Sequence, residues 1–210
     1  MLMNRRWFTV LSSLVLSAGV SLSGVALAQA TEAPDALIKR LSSEVLDSIK
    51  ADKSVQSGDL AKVVALVDTK IMPNVNFSRM TASAVGRNWR QATPEQQKRL
   101  QDEFKTLLVR TYSGALSEVR DQTIAMKPLR SSPEDTEVIV RSEVKGRGDP
   151  IQLDYRMEKS ATGWKIYDLN VVGVWLVETY RVQFAQEINA TGVDGLIAKL
   201  AERNKNAKKS

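Results

Sequence analysis

Three side chains in the second half of this 210-residue chain have the types and spacing that acid–base chemistry needs: Asp154, Tyr155 and Asp168. A carboxylate and a phenol at adjacent positions, with a second carboxylate nearby, are the raw material of a general acid and base. Nothing else in the composition supports catalysis. The chain has no His and no Cys. That removes Ser-His-Asp and Cys-His triads, His-ligated zinc or iron, thiolate sites and redox disulfides together. No metal and no cofactor is expected. In the stretch Ile151-Gln152-Leu153-Asp154-Tyr155-Arg156-Met157-Glu158 apolar and polar residues alternate. On a strand that pattern puts Asp154 on the face opposite Leu153 and Tyr155. A catalytic carboxylate would have to be buried with a partner, so the alternation counts against an enzyme and for a binding protein.

The elements around these residues begin with an export address. Arg5 and Arg6 form a positive n-region, an apolar stretch diluted by serines follows, and Ala26-Leu27-Ala28 supplies a small-x-small cleavage pattern. Residues 1–28 read as a cleaved signal peptide, with the mature chain starting near Gln29. No Cys follows the site to carry a lipid anchor. An uncleaved anchor is the rival reading, weakened by Ser12, Ser13, Ser17, Gly19, Ser21, Ser23 and Gly24. Arg5-Arg6-Trp7-Phe8 resembles a twin-arginine signal only faintly, and ordinary secretion into the periplasm is expected. This address argues against nucleic acid as a partner. Without the two signal arginines the charge is 28 basic against 24 acidic residues, or +4. Such an excess suits anionic headgroups or acidic partner surfaces, and equally mere solubility. Residues 204–210 read as a basic flexible tail, which leaves 29–203 as one domain.

Helical spacing of Leu37, Leu41, Val45 and Ile49 predicts a helix over 35–52, capped by Asp35. Ser57-Gly58-Asp59 breaks it, a second helix follows over 60–71, and a third over 76–85 closes at Gly86. Thr93-Pro94-Glu95-Gln96 is a capping box with proline at the first helical position. It opens a long helix whose stripe includes Leu100, Phe104, Leu108, Tyr112 and Leu116. After Asp121 the period becomes two. Residues 122–129, 136–145, 150–159 and 163–172 read as four strands of an antiparallel meander. Helices return over 174–190 and 193–203, divided by Gly192. Helices, then strands, then helices specify an α+β fold: a curved four-stranded antiparallel sheet with helices on one face.

Two stretches carry a resemblance. The first includes Asn76-Phe77-Ser78-Arg79-Met80 and continues through Gly86-Arg87-Asn88-Trp89-Arg90 to the capping box. The second runs from Gly163-Trp164-Lys165-Ile166-Tyr167-Asp168 through Gly173-Val174-Trp175-Leu176-Val177-Glu178-Thr179-Tyr180-Arg181 to Phe184, and Gly192-Val193-Asp194-Gly195-Leu196 follows. Together they resemble the MlaC family of periplasmic phospholipid-binding proteins, also called toluene-tolerance auxiliary proteins. The resemblance implies a monomeric carrier on a cone similar to nuclear transport factor 2, with an apolar pocket. It implies glycerophospholipid as ligand, and as partners an outer-membrane lipoprotein–porin complex and an inner-membrane ABC transporter complex. The chain departs from the family at Trp175, where many members carry a small Ser; a Trp beside Val174 would reshape the pocket mouth.

Candidate lining residues are Val138, Val140 and Val144, with Leu153 and Tyr155, from the strands; Leu108, Tyr112 and Leu116 from the long helix; and Val174, Leu176 and Tyr180 after the last strand. The bland alternative for each is an ordinary dry core. Trp89 and Trp164 read as structural anchors. Arg79 and Arg181, and outside the second rank Arg90 and Arg110, are candidates for a phosphate or an acidic partner, against a plain ion pair. Two other functions stay open: an enzyme on the same cone, and a periplasmic adaptor or chaperone with a filled core and an exposed apolar patch.

Overall fold

The computed structural model describes residues 32–206. The signal peptide expected over 1–28 and the last residues of the expected tail, 207–210, lie outside them. Six helices and five strands follow in the order α1 (Pro34–Ala51), α2 (Lys53–Gln56), α3 (Leu60–Leu66), α4 (Phe77–Val85), α5 (Pro94–Ser117), β1 (Thr123–Met126), β2 (Glu137–Lys145), β3 (Ile151–Ser160), β4 (Gly163–Val171), β5 (Val174–Trp175) and α6 (Leu176–Asn206). The class is α+β, as the sequence specifies.

Local chemistry accounts for most boundaries. Thr93 and Gln96 close the capping box reciprocally, with hydrogen bonds of 3.3 and 3.0 Å. Asp59 caps α3 by accepting from the N–H groups of Ala61 and Lys62, and Asn76 caps α4 through Arg79 N–H. At α1 the expected cap is displaced. Pro34 occupies the first turn, Ala33 makes no side-chain cap, and Asp35 lies inside the first turn where its charge suits the helix dipole. The second expected helix does not run straight to residue 71: it widens into a π turn over Val67–Ile71 and tightens into a 3-10 turn over Met72–Asn74 at Pro73. α6 is interrupted at Gly192, whose φ of 75° and ψ of −177° no helix contains. Residues 204–206, expected in the tail, continue α6, where Asn204 is buried and donates to the carbonyl and carboxylate of Glu103.

The sheet is a meander, β1-β2-β3-β4-β5, antiparallel throughout. It has one strand more than the four expected, since β5 adds two residues beside the end of β4. Between Arg156 and Met157 of β3 the register with β4 shifts, leaving Tyr167 as an extra residue. A bulge of one residue reverses which face the following side chains occupy. Ile166 therefore pairs with Met157 on the helix-covered face, while Asp168 pairs with Arg156 on the other.

That outer face is not the wet surface that alternation implied. Asp154, Asp168 and Asn170 are all buried there. The Asp168 carboxylate accepts from the N–H groups of Leu169 (2.9 Å) and Val177 (3.1 Å) and from Arg156 (3.0 Å). Arg156 also reaches Glu178 and lies 3.9 Å over the Trp175 ring. The carboxylate thus bridges the sheet to the first turn of α6. Its pKa is raised by burial, although the two backbone N–H groups and Arg156 oppose the rise.

Apolar packing divides into three clusters. Leu37, Ile38 and Leu41 of α1 cover Val138, Val140, Met157 and Ile166 of the sheet. α4, α5 and both arms of α6 enclose Phe104, with the Tyr180 and Phe184 rings edge-on to it at 4.9 and 5.1 Å. Ile49, Val55, Val63, Leu66, Val109 and Val119 join α1 to α3 with α5.

Two outcomes test this account. Val172, between β4 and β5, has φ 52°, a left-handed conformation costly for a β-branched side chain, and is 66% exposed. Val172→Asn should stabilise the protein by about 1 kcal/mol, seen as a rise of roughly 2–4 °C in Tm, because the strain is relieved and no packing is lost. Asp168→Ala should cost about 3 kcal/mol in denaturant unfolding by stranding two N–H groups, while Asp168→Asn, which still accepts them, should cost about 1 kcal/mol. The raised carboxyl means the folded chain holds its proton more tightly than the unfolded one. Its contribution to stability falls as pH rises from the ordinary carboxylate value of 3.8 through the raised one, and Asp168→Asn should flatten that fall.

Candidate functional site

A domain of this size ordinarily has one contiguous core with small satellites. Here three clusters of buried residues stand apart, and half-buried apolar side chains lie between them. Leu108, Tyr112 and Leu169 flank the cluster around Phe104; Tyr155 and Met126 flank the α1–sheet cluster; Leu116 and Leu46 flank the third. Val45 touches both of the last two. On the helix-covered face of the sheet Leu153, Val171 and Val144 are also only half-buried, and the ladder pairs Leu153 with Val171 and Val144 with Ile151. α5 and the sheet thus each carry apolar side chains that are only half-buried, outside the three packed clusters. Neutral hydroxyls lie among them. Burial pushes the Tyr155 phenol up, with the hydroxyls of Ser142 and Ser42 beside it opposing the rise. Burial likewise raises the phenol of Tyr112, and the neighbouring Tyr180 adds to it. These half-buried side chains, termed the seam, can exclude water from hydrocarbon and can offer weak hydrogen bonds. They include no charged pair placed for acid–base work.

The expected lining residues divide between seam and core. Leu108, Tyr112, Leu116, Val144, Leu153 and Tyr155 are half-buried. Val138 and Val140 are closed off under α1, and Leu176 and Tyr180 are closed into the cluster around Phe104. Val174 is 52% exposed at the β4–β5 turn, beside Val171. Residues missed by the sequence reading are Leu169, Val171, Val45 and Leu46. Helical spacing pointed to Val45, but nothing local marked the seam-facing side of β4.

Arg79 has a structural task rather than a free guanidinium for phosphate. Its terminal nitrogens pair with Glu137 and Glu158, and it lies 3.6 Å over the Tyr167 ring on the outer face. Its hydrogen bond holds the Glu137 carboxyl below the usual range. Arg181 is exposed on α6 near Gly86, and Arg90 is exposed. Arg110 is half-buried, with Nε enclosed and unpartnered. Trp175 does not narrow the seam: opposite Asn170, it lies beneath Arg156 on the outer face. Trp89 packs against the Phe104 cluster and Trp164 against the α1–sheet cluster. The acid–base set is also accounted for, because the buried partners of Asp168 are structural N–H groups and an arginine.

A separate groove of about 670 Å³ lies between the two arms of α6, over Phe184, Leu196 and Leu200. Glu187, Lys199, Glu202 and Arg203 line it too, and burying an acyl chain there would strip water from charges. Among the described residues, no helix is long and apolar enough to cross a membrane.

Known proteins match this architecture. A phospholipid-binding protein from Ralstonia solanacearum, solved in complex with a phospholipid, superposes with a TM-score of 0.81 at 52% identity, over 83% of this chain and 98% of that one. The intermembrane phospholipid transport system binding protein MlaC of Haemophilus influenzae is 22% identical over 202 residues, 94% of this chain and 92% of that protein. The toluene tolerance protein ttg2D of Pseudomonas putida is 25% identical over 169 residues, 80% of this chain and 79% of that protein. The family model described as MlaC protein matches residues 39–202, and with that span, essentially all of α1 to α6, the chain belongs to the MlaC family.

Proposed function

We propose that this protein is a non-catalytic carrier of glycerophospholipid that holds acyl chains in the seam between its three core clusters. It would be exported to the periplasm through the N-terminal segment. There it would exchange lipid with an outer-membrane lipoprotein–porin complex and an inner-membrane ABC transporter complex, as a monomer. The observation that carries the reading is the divided core, with its half-buried apolar side chains on α5 and the sheet. The phospholipid bound by the Ralstonia relative supports the ligand class.

The energetics fit a carrier. Two acyl chains bring on the order of 30 methylenes, at about 0.8 kcal/mol each when buried, so a free lipid in water would cost about 25 kcal/mol. A carrier needs only to match the bilayer. A seam of Leu, Val and Tyr side chains offers hydrocarbon of similar character, and the small difference lets lipid both enter and leave. A polar headgroup can remain in water at the rim beside exposed Val174, with no dedicated clamp.

A photo-crosslinking amino acid at Leu108 or Leu153 should capture lipid from labelled donor vesicles, and one at exposed Arg141 on the outer face should not. Equal capture at all three positions would sink the seam. Gentle purification should also yield protein with glycerophospholipid bound, read by native mass spectrometry and extraction. Persistent apo protein that accepts no labelled lipid would remove the carrier reading itself. Mass analysis of the exported chain should place its N-terminus near Gln29; an intact N-terminus in the membrane fraction would be the opposite result.

A further inference from the structure

Tyr180 is 95% covered by protein, yet among the described residues its hydroxyl has no hydrogen-bond partner. It is not sealed in. The enclosed side-chain nitrogen and oxygen atoms without partners are Arg110 Nε and Asn204 Oδ1, and the Tyr180 hydroxyl is not among them. The Tyr180 ring packs against Phe104 and Phe184, and Tyr112 and Leu108 pack on the α5 side of the same cluster. Tyr112 lies on that side half-buried, also without a protein hydrogen bond, and its phenol interacts with that of Tyr180. Two phenols from two helices therefore converge at the edge of an apolar wall, each with a donor unused. Buried tyrosine hydroxyls ordinarily have partners. Leaving both unpaired has a cost unless something else supplies an acceptor.

We propose that the Tyr112 and Tyr180 hydroxyls together bind an acyl-ester carbonyl oxygen of the bound glycerophospholipid, fixing how deep the chains enter. This deepens the carrier reading and rests on it. The choice of a neutral ester over phosphate follows from charge. Burial raises the Tyr112 phenol, Tyr180 adds to the rise, and no guanidinium or ammonium is among its causes. A phosphate here would be a desolvated anion without a counter-charge. Arg79 is held on the outer face by Glu137 and Glu158. A carbonyl oxygen is a neutral acceptor, matched to neutral phenol donors, and it lies where the hydrocarbon begins. The same two hydroxyls would then tell an ester-linked lipid from one whose chains join glycerol through ethers.

The test compares dipalmitoyl phosphatidylethanolamine with its dihexadecyl ether counterpart, in direct competition for the purified protein by native mass spectrometry. The protein should favour the diester about five- to tenfold, the scale of one well-formed neutral hydrogen bond. Tyr112→Phe with Tyr180→Phe should abolish that preference, read as the ratio of diester to diether bound, in which any loss of affinity common to both lipids cancels. Each single variant should lose part of it, which guards against misfolding of the double variant. With the ester carbonyls labelled with carbon-13, the infrared carbonyl band should lie lower in the unmodified protein than in the double variant. Equal binding of diester and diether by the unmodified protein, or a preference that survives both substitutions, overturns the assignment and leaves the carrier standing. Binding of neither lipid overturns both.

Discussion

The carboxylate of Asp168 is the joint on which the arrangement of helices against sheet depends. A helix begins with N–H groups that have no partner within it. At the start of α6 one of them, from Val177, is satisfied by a side chain of the neighbouring strand rather than by a residue of the helix's own cap. The negative charge also lies at the positive end of the helix dipole. Burying a carboxylate is unfavourable, and its raised pKa records that; two backbone donors and Arg156 offset much of the cost. The direction so fixed sends Leu176, Tyr180, Phe184 and Ile188 into the cluster around Phe104, and the break at Gly192 returns Leu196, Ile197 and Leu200 to that same cluster.

A carrier must fold without closing its core, and these two demands conflict. Filling the seam with larger side chains would bury more apolar surface and raise stability. The chain instead closes three smaller clusters, each complete in itself, and leaves Leu108, Leu153, Tyr155 and Leu169 between them half-covered. No disulfide compensates, since the chain has no cysteine. Ion pairs on the outer face brace the sheet from the other side: Arg79 with Glu137 and Glu158, and Arg156 with Asp168 and Glu178. Each guanidinium also lies over an aromatic ring, a planar contact that a lysine would make poorly. Rigidity is thus placed on the face away from the seam.

What the sequence made legible was local. The capping box at Thr93 and the break at Gly192 depend on a few neighbouring residues, and each sits in the structure where its chemistry puts it. β5 escaped notice because two residues cannot display a period. The burial of Asp168 escaped because Ile166, Asp168 and Asn170 share a parity, and only pairing with β3 reveals that Tyr167 is an extra residue. Alternation did place Leu153 and Tyr155 on the covered face. It could not separate them from Val138 and Val140 on that same face, since the difference is that α1 lies over the latter pair. Whether an apolar side chain lines a seam or fills a core is decided by what packs on it from a distant part of the chain.

Trp175 shows how that distinction bears on the ligand. Beside Val174 in sequence, a large ring where the family resemblance leads one to expect a small residue suggests a constricted mouth. Register gives the opposite result. Successive side chains on a strand point to opposite faces, so Val174, paired with Val171, and Trp175, paired with Asn170, cannot share one. The ring is taken up by Arg156, whose guanidinium covers it while the same side chain holds Asp168 and Glu178. The substitution therefore adds to the brace on the outer face and takes no volume from the seam. The space left for acyl chains is set by the side chains of α5 and by the covered face of β3 and β4. A change in how many chains the protein accommodates would have to come from positions such as Leu108, Leu153 or Leu169, not from Trp175.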